Sequence, residues 1–166
     1  MKALFMILLM AGVIQSTPTL AESSSAATSP PSPLLGRWAV DVSRLPIPPE
    51  ARPKSVTISF SDAGSGKWTT RVDIVDANGS ESIATATHDL EGTPAHGEGN
   101  FAEADTAAAK SPKPDVLIMA LGKGGVPAST RIYAVAANGK HMIETAVYFG
   151  HDGMPVMRTN YFNRVR

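Results

Sequence analysis

The sequence predicts an all-β domain, built as a single antiparallel up-and-down β-barrel of about eight to nine strands. One observation behind this prediction is a period-two alternation of apolar and polar residues in several segments. A second is a set of three hairpin-type dipeptides, Asn78-Gly79, Asn138-Gly139 and Asp152-Gly153. Such dipeptides are typical of two-residue turns, whose central residues need positive φ. Because they join neighbouring strands in chain order, they favour a barrel, and a β-sandwich is the alternative.

Four strands are predicted in the N-terminal half of the barrel region. The first is predicted over Gly36–Ser43, and the stretch Leu45–Pro49 ends it because proline cannot donate a ladder hydrogen bond. The next two, Lys54–Asp62 and Lys67–Val75, alternate cleanly, as a sheet with one wet face requires. The segment Glu81–Leu90 is rich in threonine and alanine and is a weaker strand candidate.

The middle of the chain is the least regular part, and the pattern recovers after it. A short strand around Pro94–Phe101 and a helical turn near Glu103–Ala109 both fit the middle segment. Four further strands are then predicted, over Val116–Leu121, Ser129–Ala136, His141–Phe149 and Val156–Val165. The first of these four is apolar on both faces. We expect the Glu103–Ala109 segment or the leader to cover it, and exposure to a partner is the alternative.

Residues 1–21 have the pattern of a cleaved secretory signal peptide. Lys2 precedes an uncharged apolar run over Ala3–Ile14, and Thr19-Leu20-Ala21 has small residues at both ends of the tripeptide. The run is shorter than the ~20 residues that span a bilayer, so an uncleaved anchor helix is the less favoured alternative. Since no cysteine is present for lipid attachment, we predict a periplasmic or secreted protein. A disordered Ser- and Pro-rich leader over residues 22–34 then precedes a barrel domain over residues 35–166.

The charge composition limits the classes of partner that the protein can bind. The chain has 15 basic and 15 acidic residues, and neither sign forms a long run. This argues against nucleic acid or an anionic membrane surface as the main partner, because both require clustered Lys and Arg. No segment after Leu20 is apolar for long enough to cross a bilayer, so we predict no stable membrane insertion after cleavage. Without cysteines, the fold must depend on burial and strand pairing alone.

The start of the first strand resembles the G-x-W opening of lipocalin-like, or calycin, barrels. The wider pattern is similar to that of poorly characterised exported bacterial proteins with a lipocalin-like domain. The matching stretches are Gly36–Asp41, Pro46–Pro49, Pro53–Ser55, Asp76–Gly79, Ala137–Lys140, Asp152–Pro155 and Phe162–Arg164, with Asn163 in place of the family's acidic residue. In calycins a tryptophan closes one end of the barrel, and an arginine from the last strand packs over it. The resemblance therefore implies a structural pair of Trp38 and Arg164, with Arg166 or Arg158 as alternatives to the arginine.

The sequence has no pattern typical of a catalytic or metal site. The four histidines, His88, His96, His141 and His151, lack metal-ligand spacing and are interpreted as surface residues. Asp76–Ser80 resembles the start of a calcium loop, but Glu81 and Thr87 occupy the positions where that loop needs Gly and Glu. There is no thiol and no G-x-S-x-G motif. We therefore predict no enzyme activity, no cofactor and no metal, and an enzyme using the histidines is the least favoured alternative.

The barrel interior is the remaining candidate site. Its predicted ligand-binding lining consists of Val56, Ile58, Phe60, Trp68, Val72, Ile132, Met142 and Tyr148. If Met142 and Tyr148 point inward, so does Glu144, and a buried carboxylate would need a partner. The opposite face of this strand, with Ile143, Thr145, Val147 and Phe149, is more apolar, and we slightly favour it as the buried face.

These residues favour one function and leave a second open. The first is an exported lipocalin-like protein that binds a small apolar or amphipathic ligand in the cell envelope. The alternative is an envelope protein-protein interaction module with a filled barrel core. That module would use Val116–Leu121 or the Thr93–Lys113 loop against a protein partner.

Overall fold

The computed structural model describes residues 30–165, which form one antiparallel sheet of eleven strands in a nearly closed barrel. The strands are β1 Gly36–Val40, β2 Ser55–Gly64, β3 Lys67–Val75, β4 Glu81–Asp89, β5 Ala95–His96, β6 Glu98–Gly99, β7 Thr106–Lys113, β8 Val116–Lys123, β9 Val126–Val135, β10 His141–Phe149 and β11 Pro155–Val165. Two single-turn 3-10 helices, Val42–Arg44 and Pro49–Ala51, lie between β1 and β2. The signal peptide predicted for residues 1–21, residues 22–29 of the leader and Arg166 lie outside the described residues.

The strand order confirms the predicted up-and-down barrel. It is β5-β7-β8-β9-β10-β11-β1-β2-β3-β4-β6, so the long strands follow one another in chain order and β1 pairs with β11. The two ends of this sheet meet at Gly97. Ala95–His96 pairs with β7 and Glu98–Gly99 pairs with β4, so one short segment bridges both edge strands. All eleven strands belong to one sheet, which is not the arrangement of a sandwich.

The three predicted hairpin turns are present, but their geometry differs from the expectation. In each turn only the glycine has positive φ: +93° at Gly79, +65° at Gly139 and +76° at Gly153. Each glycine N–H donates to the carbonyl three residues earlier, at 2.8–2.9 Å. The preceding Asn or Asp side-chain oxygen accepts from the backbone N–H two residues further on. This matches a type I turn followed by a left-handed glycine, so the prediction of two-residue turns with two positive φ values was wrong.

The middle segment also differs from one of its two predictions. The short strand expected around Pro94–Phe101 is present as β5 and β6, whereas the helical turn expected near Glu103–Ala109 is wrong. Thr106–Lys113 is a strand in which Ala107 and Ala109 are buried. Pairing with β8 outweighs the helix propensity of these alanines. As a result this segment lies beside β8 and does not cover its outer face.

The core fills one end of the barrel, which we call the closed end. Its fully buried large side chains are Leu34, Trp38, Phe60, Leu117 and Met142. The Tyr133 ring packs edge-on against Phe60 and Phe162, with centroid distances of 5.5 and 6.3 Å. Leu34 falls within the predicted leader, yet it is buried and its carbonyl accepts a hydrogen bond of 2.8 Å from the Trp38 indole N–H. The ordered domain therefore begins slightly before residue 35.

Arg164 packs over the outer side of this closed end. Its guanidinium carbon lies 4.1 Å from the centroid of the Trp38 ring, as the resemblance implies. The guanidinium also donates to the carbonyl oxygens of Gly139 at 2.7 Å, of Leu35 at 2.8 Å, and of Pro33. A cation over an indole face stabilises by ~0.5–2 kcal/mol. Arg164 thus ties the last strand to the residues that precede the first.

Candidate ligand-binding cavity

A partly open cavity lies at the end of the barrel opposite the closed end. It has a volume of about 160 Å³ and adjoins a smaller void of about 70 Å³, and Ile58, Val72 and Tyr133 line both. Drug-sized ligands occupy pockets of ~300–1,000 Å³, whereas a ~150 Å³ cavity holds benzene. The space therefore suits a molecule of about one small ring with a short substituent.

One side of the cavity, the apolar wall, consists of Val56, Ile58, Val72 and Ile74 from β2 and β3. Three of these, Val56, Ile58 and Val72, belong to the predicted lining. The residues alternate with outward polar residues such as Thr57 and Asp73, so the period-two pattern orients them correctly.

The other five predicted lining residues lie elsewhere. Phe60, Trp68 and Met142 are buried in the hydrophobic core at the closed end and do not line the cavity. Tyr148 is half-buried near the start of β11, where its hydroxyl accepts from Arg158 at 3.1 Å. Their predicted contact with a ligand is not supported by these positions.

Ile132 is on the wrong face for the predicted role. Its paired neighbours are Ile118 and Thr145, whereas Arg131 and Tyr133 on either side of it line the cavity. A rule that charged residues face solvent would point Ile132 inward and Arg131 outward. That rule fails on β9 because Arg131 has charged partners inside the barrel.

The opposite side of the cavity, the polar wall, consists of Glu103, Arg131, Glu144 and Asn160. Arg131 donates from Nη1 to Glu144 Oε1 at 3.1 Å and from Nη2 to Glu103 Oε1. Asn160 donates from Nδ2 to Glu144 Oε2 at 2.6 Å. Two carboxylates therefore share one guanidinium, in a network that is buried at Glu144 and partly exposed at Glu103, whose side chain is 39% exposed.

Glu144 settles the orientation that the sequence left open for β10. Glu144 is only 4% exposed, whereas Ile143 is 45% and Phe149 72% exposed. The slightly favoured expectation that Ile143, Thr145, Val147 and Phe149 form the buried face was wrong. The cost of burying the carboxylate is offset by its bonds to Arg131 and Asn160.

The network changes the acid-base behaviour of two neighbouring groups. Burial alone lowers the pKa of Arg131, but Glu144 and Glu103 outweigh it and raise the pKa above its ordinary value. Burial, followed by the nearby Glu144 carboxylate, raises the pKa of Tyr133 well above its ordinary value. Arg131 is thus a fixed cation and Tyr133 a neutral hydroxyl beside the cavity.

A larger depression of about 500 Å³ lies on the outer face of β2–β4 and is lined mainly by polar residues. Its charged groups include Arg71 and Asp73, which pair with each other at 2.6 Å and have side chains 47% and 31% exposed. Exposed pairs of this kind are solvated and contribute little. We therefore take the smaller interior cavity as the candidate site.

The histidines do not form a site. His88, predicted to be on the surface, is buried, and its Nε2 lies 2.8 Å from the Thr70 hydroxyl. Among residues 30–165, no group of three or more His, Asp or Glu side chains is arranged to hold a metal ion.

Within the same residues, no helix is long and apolar enough to span a membrane.

Sequence reasoning missed Glu103, Arg131 and Asn160. The available signal was Glu144 on the same face as Met142, since an inward carboxylate requires partners. The register that brings those partners together is long-range: Glu144 lies opposite both Tyr133 and Asn160.

Comparison with protein-family models gives no match, and no curated protein is significantly similar to the chain.

Proposed function

We propose that the protein binds a small amphipathic molecule inside its barrel. The observation that carries this proposal is an interior cavity with apolar side chains on one side and a hydrogen-bonding charged network on the other. Apolar surface supplies affinity, and a few placed polar groups orient the ligand. The predicted export signal and the resemblance to lipocalin-like barrels support binding in the periplasm or outside the cell.

The distribution of packing supports the same proposal. The closed end is filled by large apolar and aromatic side chains, whereas the cavity end holds an ion-pair network around unfilled space. A barrel with only a structural role would gain by filling that end, because well-packed apolar residues stabilise as much as a buried ion pair or more. A ligand that fills the cavity would add the missing contacts.

The test is a titration of the full chain with benzyl alcohol, monitored by NMR, on the wild type and on two variants. Val72→Phe enlarges a side chain that lines both voids, and Val75→Phe is the matched control on the outer face of the same strand. We expect Val72→Phe to weaken binding at least tenfold while Val75→Phe leaves it within twofold. No binding to the wild type at millimolar concentration, or equal binding by both variants, would refute the proposal.

Native mass spectrometry of the protein purified from its own cell envelope gives an independent test. A small molecule that copurifies with the wild type and is lost from Val72→Phe would support the proposal. The mass of that molecule would also identify the ligand directly.

A second candidate function is an interaction through the outer face. Phe149 and Met157 lie on the outer face of the β10–β11 hairpin and are 72% and 70% exposed, and Met154 in its turn is 61% exposed. Exposed apolar groups that lie together mark interaction sites more often than isolated ones. The predicted interaction strand Val116–Leu121 carries half-buried apolar residues on this face. Substitution of Phe149 and Met157 by Ser should abolish capture of a partner and leave benzyl alcohol binding unchanged.

A further inference from the structure

We infer that the exposed edge of β11 pairs with the same edge of a second copy of this chain, which gives a two-fold symmetric dimer. The inference goes beyond the proposed function, because it concerns the outside of the barrel and needs no ligand. It rests on the backbone groups of β11 that have no partner and on the symmetry of their arrangement.

Part of β11 has a neighbouring strand on one side only. In the sheet β11 lies between β10 and β1, and β10 pairs with it from Pro155 onward without a shift in register. Pairing with β1 ends at Val40. The last hydrogen bond on that side runs from the Asp41 N–H to the Tyr161 carbonyl, at 2.7 Å. The edge of β11 over residues 155–160 therefore has no strand beside it.

The free backbone groups of this edge belong to Pro155, Met157 and Thr159. Successive residues of a strand direct their N–H and C=O groups to opposite sides. Since Tyr161 accepts its bond on the β1 side, the other odd-numbered residues of β11 face that side too. Among residues 30–165, the N–H groups of Met157 and Thr159 have no hydrogen-bond partner. Proline has no N–H, so Pro155 contributes a carbonyl alone.

This edge is open to solvent. All three of its residues are exposed, and Met157 is 70% exposed. The hydrogen bonds of residues 42–53, which connect β1 to β2, stay within that segment or go to Asp41. Arg44 contacts the ring of Tyr161, which lies next to the free stretch and outside it. An exposed and unpaired strand edge is a template for pairing with another chain.

A second copy fits because the edge is complementary to itself. A two-fold axis beside Met157 places the two Met157 residues opposite each other, and Pro155 of each copy opposite Thr159 of the other. Each Met157 N–H then donates to the Met157 carbonyl of the other copy, and each Thr159 N–H donates to a Pro155 carbonyl. Every free N–H of the edge is satisfied in this register. Pro155 lies at the end of the paired stretch, where proline is tolerated.

The side chains beside the edge favour the same arrangement. Met157 and Phe149 of the β10–β11 hairpin are 70% and 72% exposed, and the pairing brings the two Met157 side chains together. Arg158 is the one charged residue of the free stretch. It faces the interior, where it donates to the Tyr148 hydroxyl at 3.1 Å, and it would lie opposite Val156 of the second copy. Like charges are therefore not directly opposite each other.

The dimer should be weak and reversible. A few backbone hydrogen bonds and the apolar side chains of one hairpin bury less than the ~800 Å² per partner of a standard interface. We expect a dissociation constant of about 10–100 µM. Sedimentation velocity of the wild type from about 5 to about 500 µM should therefore show a change from monomer to dimer.

Met157→Pro and Thr159→Pro each remove one of the free N–H groups. Neither group bonds within the barrel, so both variants should keep the fold. Each substitution should raise the dissociation constant of the dimer at least tenfold. Met157→Leu is the matched control, because it keeps the N–H and an apolar side chain, and its dissociation constant should stay within about threefold of the wild-type value.

Amide exchange of the wild type, followed by NMR, tests the edge without any variant. For the expected dissociation constants, the Met157 and Thr159 amides should exchange about three- to fourfold more slowly at about 500 µM than at about 20 µM. The Asn163 amide faces β1, with which it is already paired, so its exchange should not depend on concentration.

Two results would overturn the inference. One is a protein that stays monomeric at every concentration, which would leave this edge solvated or reserved for a strand of another protein. The other is a dimer that survives both proline substitutions without protection of the Met157 and Thr159 amides, which would place the interface elsewhere. Neither result bears on benzyl alcohol binding, so the proposed function stands or fails separately.

Discussion

Gly36 is the residue whose substitution tests most directly how the closed end is held together. Its φ is +124°, a conformation that side chains rarely adopt, and an added Cβ would lie 2.6 Å from Nη1 of Arg164. The backbone strain in Gly36→Ala should cost about 1–3 kcal/mol. Moving the guanidinium away would also weaken its contact with Trp38, worth ~0.5–2 kcal/mol. We expect a total loss of about 1.5–5 kcal/mol in the free energy of unfolding.

A double-mutant cycle separates these two contributions. Urea unfolding is measured for Gly36→Ala, Arg164→Met and the double variant. The steric conflict disappears once the guanidinium is removed, whereas the strain at residue 36 remains. The double variant should therefore lose about 0.5–2 kcal/mol less than the sum of the single losses.

The control for backbone strain alone is Gly66→Ala. Gly66 also has positive φ, at +73°, but nothing lies within 4 Å of an added Cβ. It should cost less than Gly36→Ala. Additivity within ~0.3 kcal/mol in the cycle, or equal losses at both glycines, would refute the reasoning that Arg164 requires glycine beneath it.

Two further predictions concern the polar wall. Because burial and then Glu144 raise the pKa of Tyr133, the folded protein keeps this hydroxyl neutral while the unfolded chain ionises near pH ~10. Stability should fall as the pH rises above ~10, by up to ~1.4 kcal/mol per unit, and Tyr133→Phe should reduce that loss in urea unfolding compared at pH 8 and 11. Arg131→Met leaves Glu144 buried without its cation and should cost about 3–5 kcal/mol, measured by urea unfolding at pH 7. Breaking the exposed pair of Arg71 with Asp73 by Arg71→Met should cost far less.

The barrel architecture could be predicted from the sequence because the alternation of apolar and polar residues and the positions of turn glycines determine the strands and turns. Alternation along β2 and β3 oriented Val56, Ile58 and Val72 correctly, since a strand has only two faces. The positions of the turns were predictable because glycine tolerates positive φ. Their conformation was not, because Asn78, Asn138 and Asp152 remain outside the left-handed region and accept a hydrogen bond from the backbone N–H two residues ahead.

The polar wall could not be predicted in the same way. A rule that points charged residues to solvent places Ile132 inside and Arg131 outside, which is the reverse of the structure. The rule holds only when a charge has no partner in the interior. Arg131 has two, Glu144 at 13 residues' separation and Glu103 at 28, and their proximity depends on strand register and on the loop before β7.

The inward position of these charged residues supports the proposal that the barrel binds a ligand. An ion-pair network in the interior is weak evidence for stability, because apolar replacements of similar volume are often neutral or stabilising. The closed end shows that this chain can fill a barrel, with Trp38, Phe60 and Met142 fully buried there. The network and the unfilled volume nevertheless occur together at the other end. Stability alone does not account for that combination, whereas our proposal of a bound amphipathic molecule gives both the network and the unfilled volume a role.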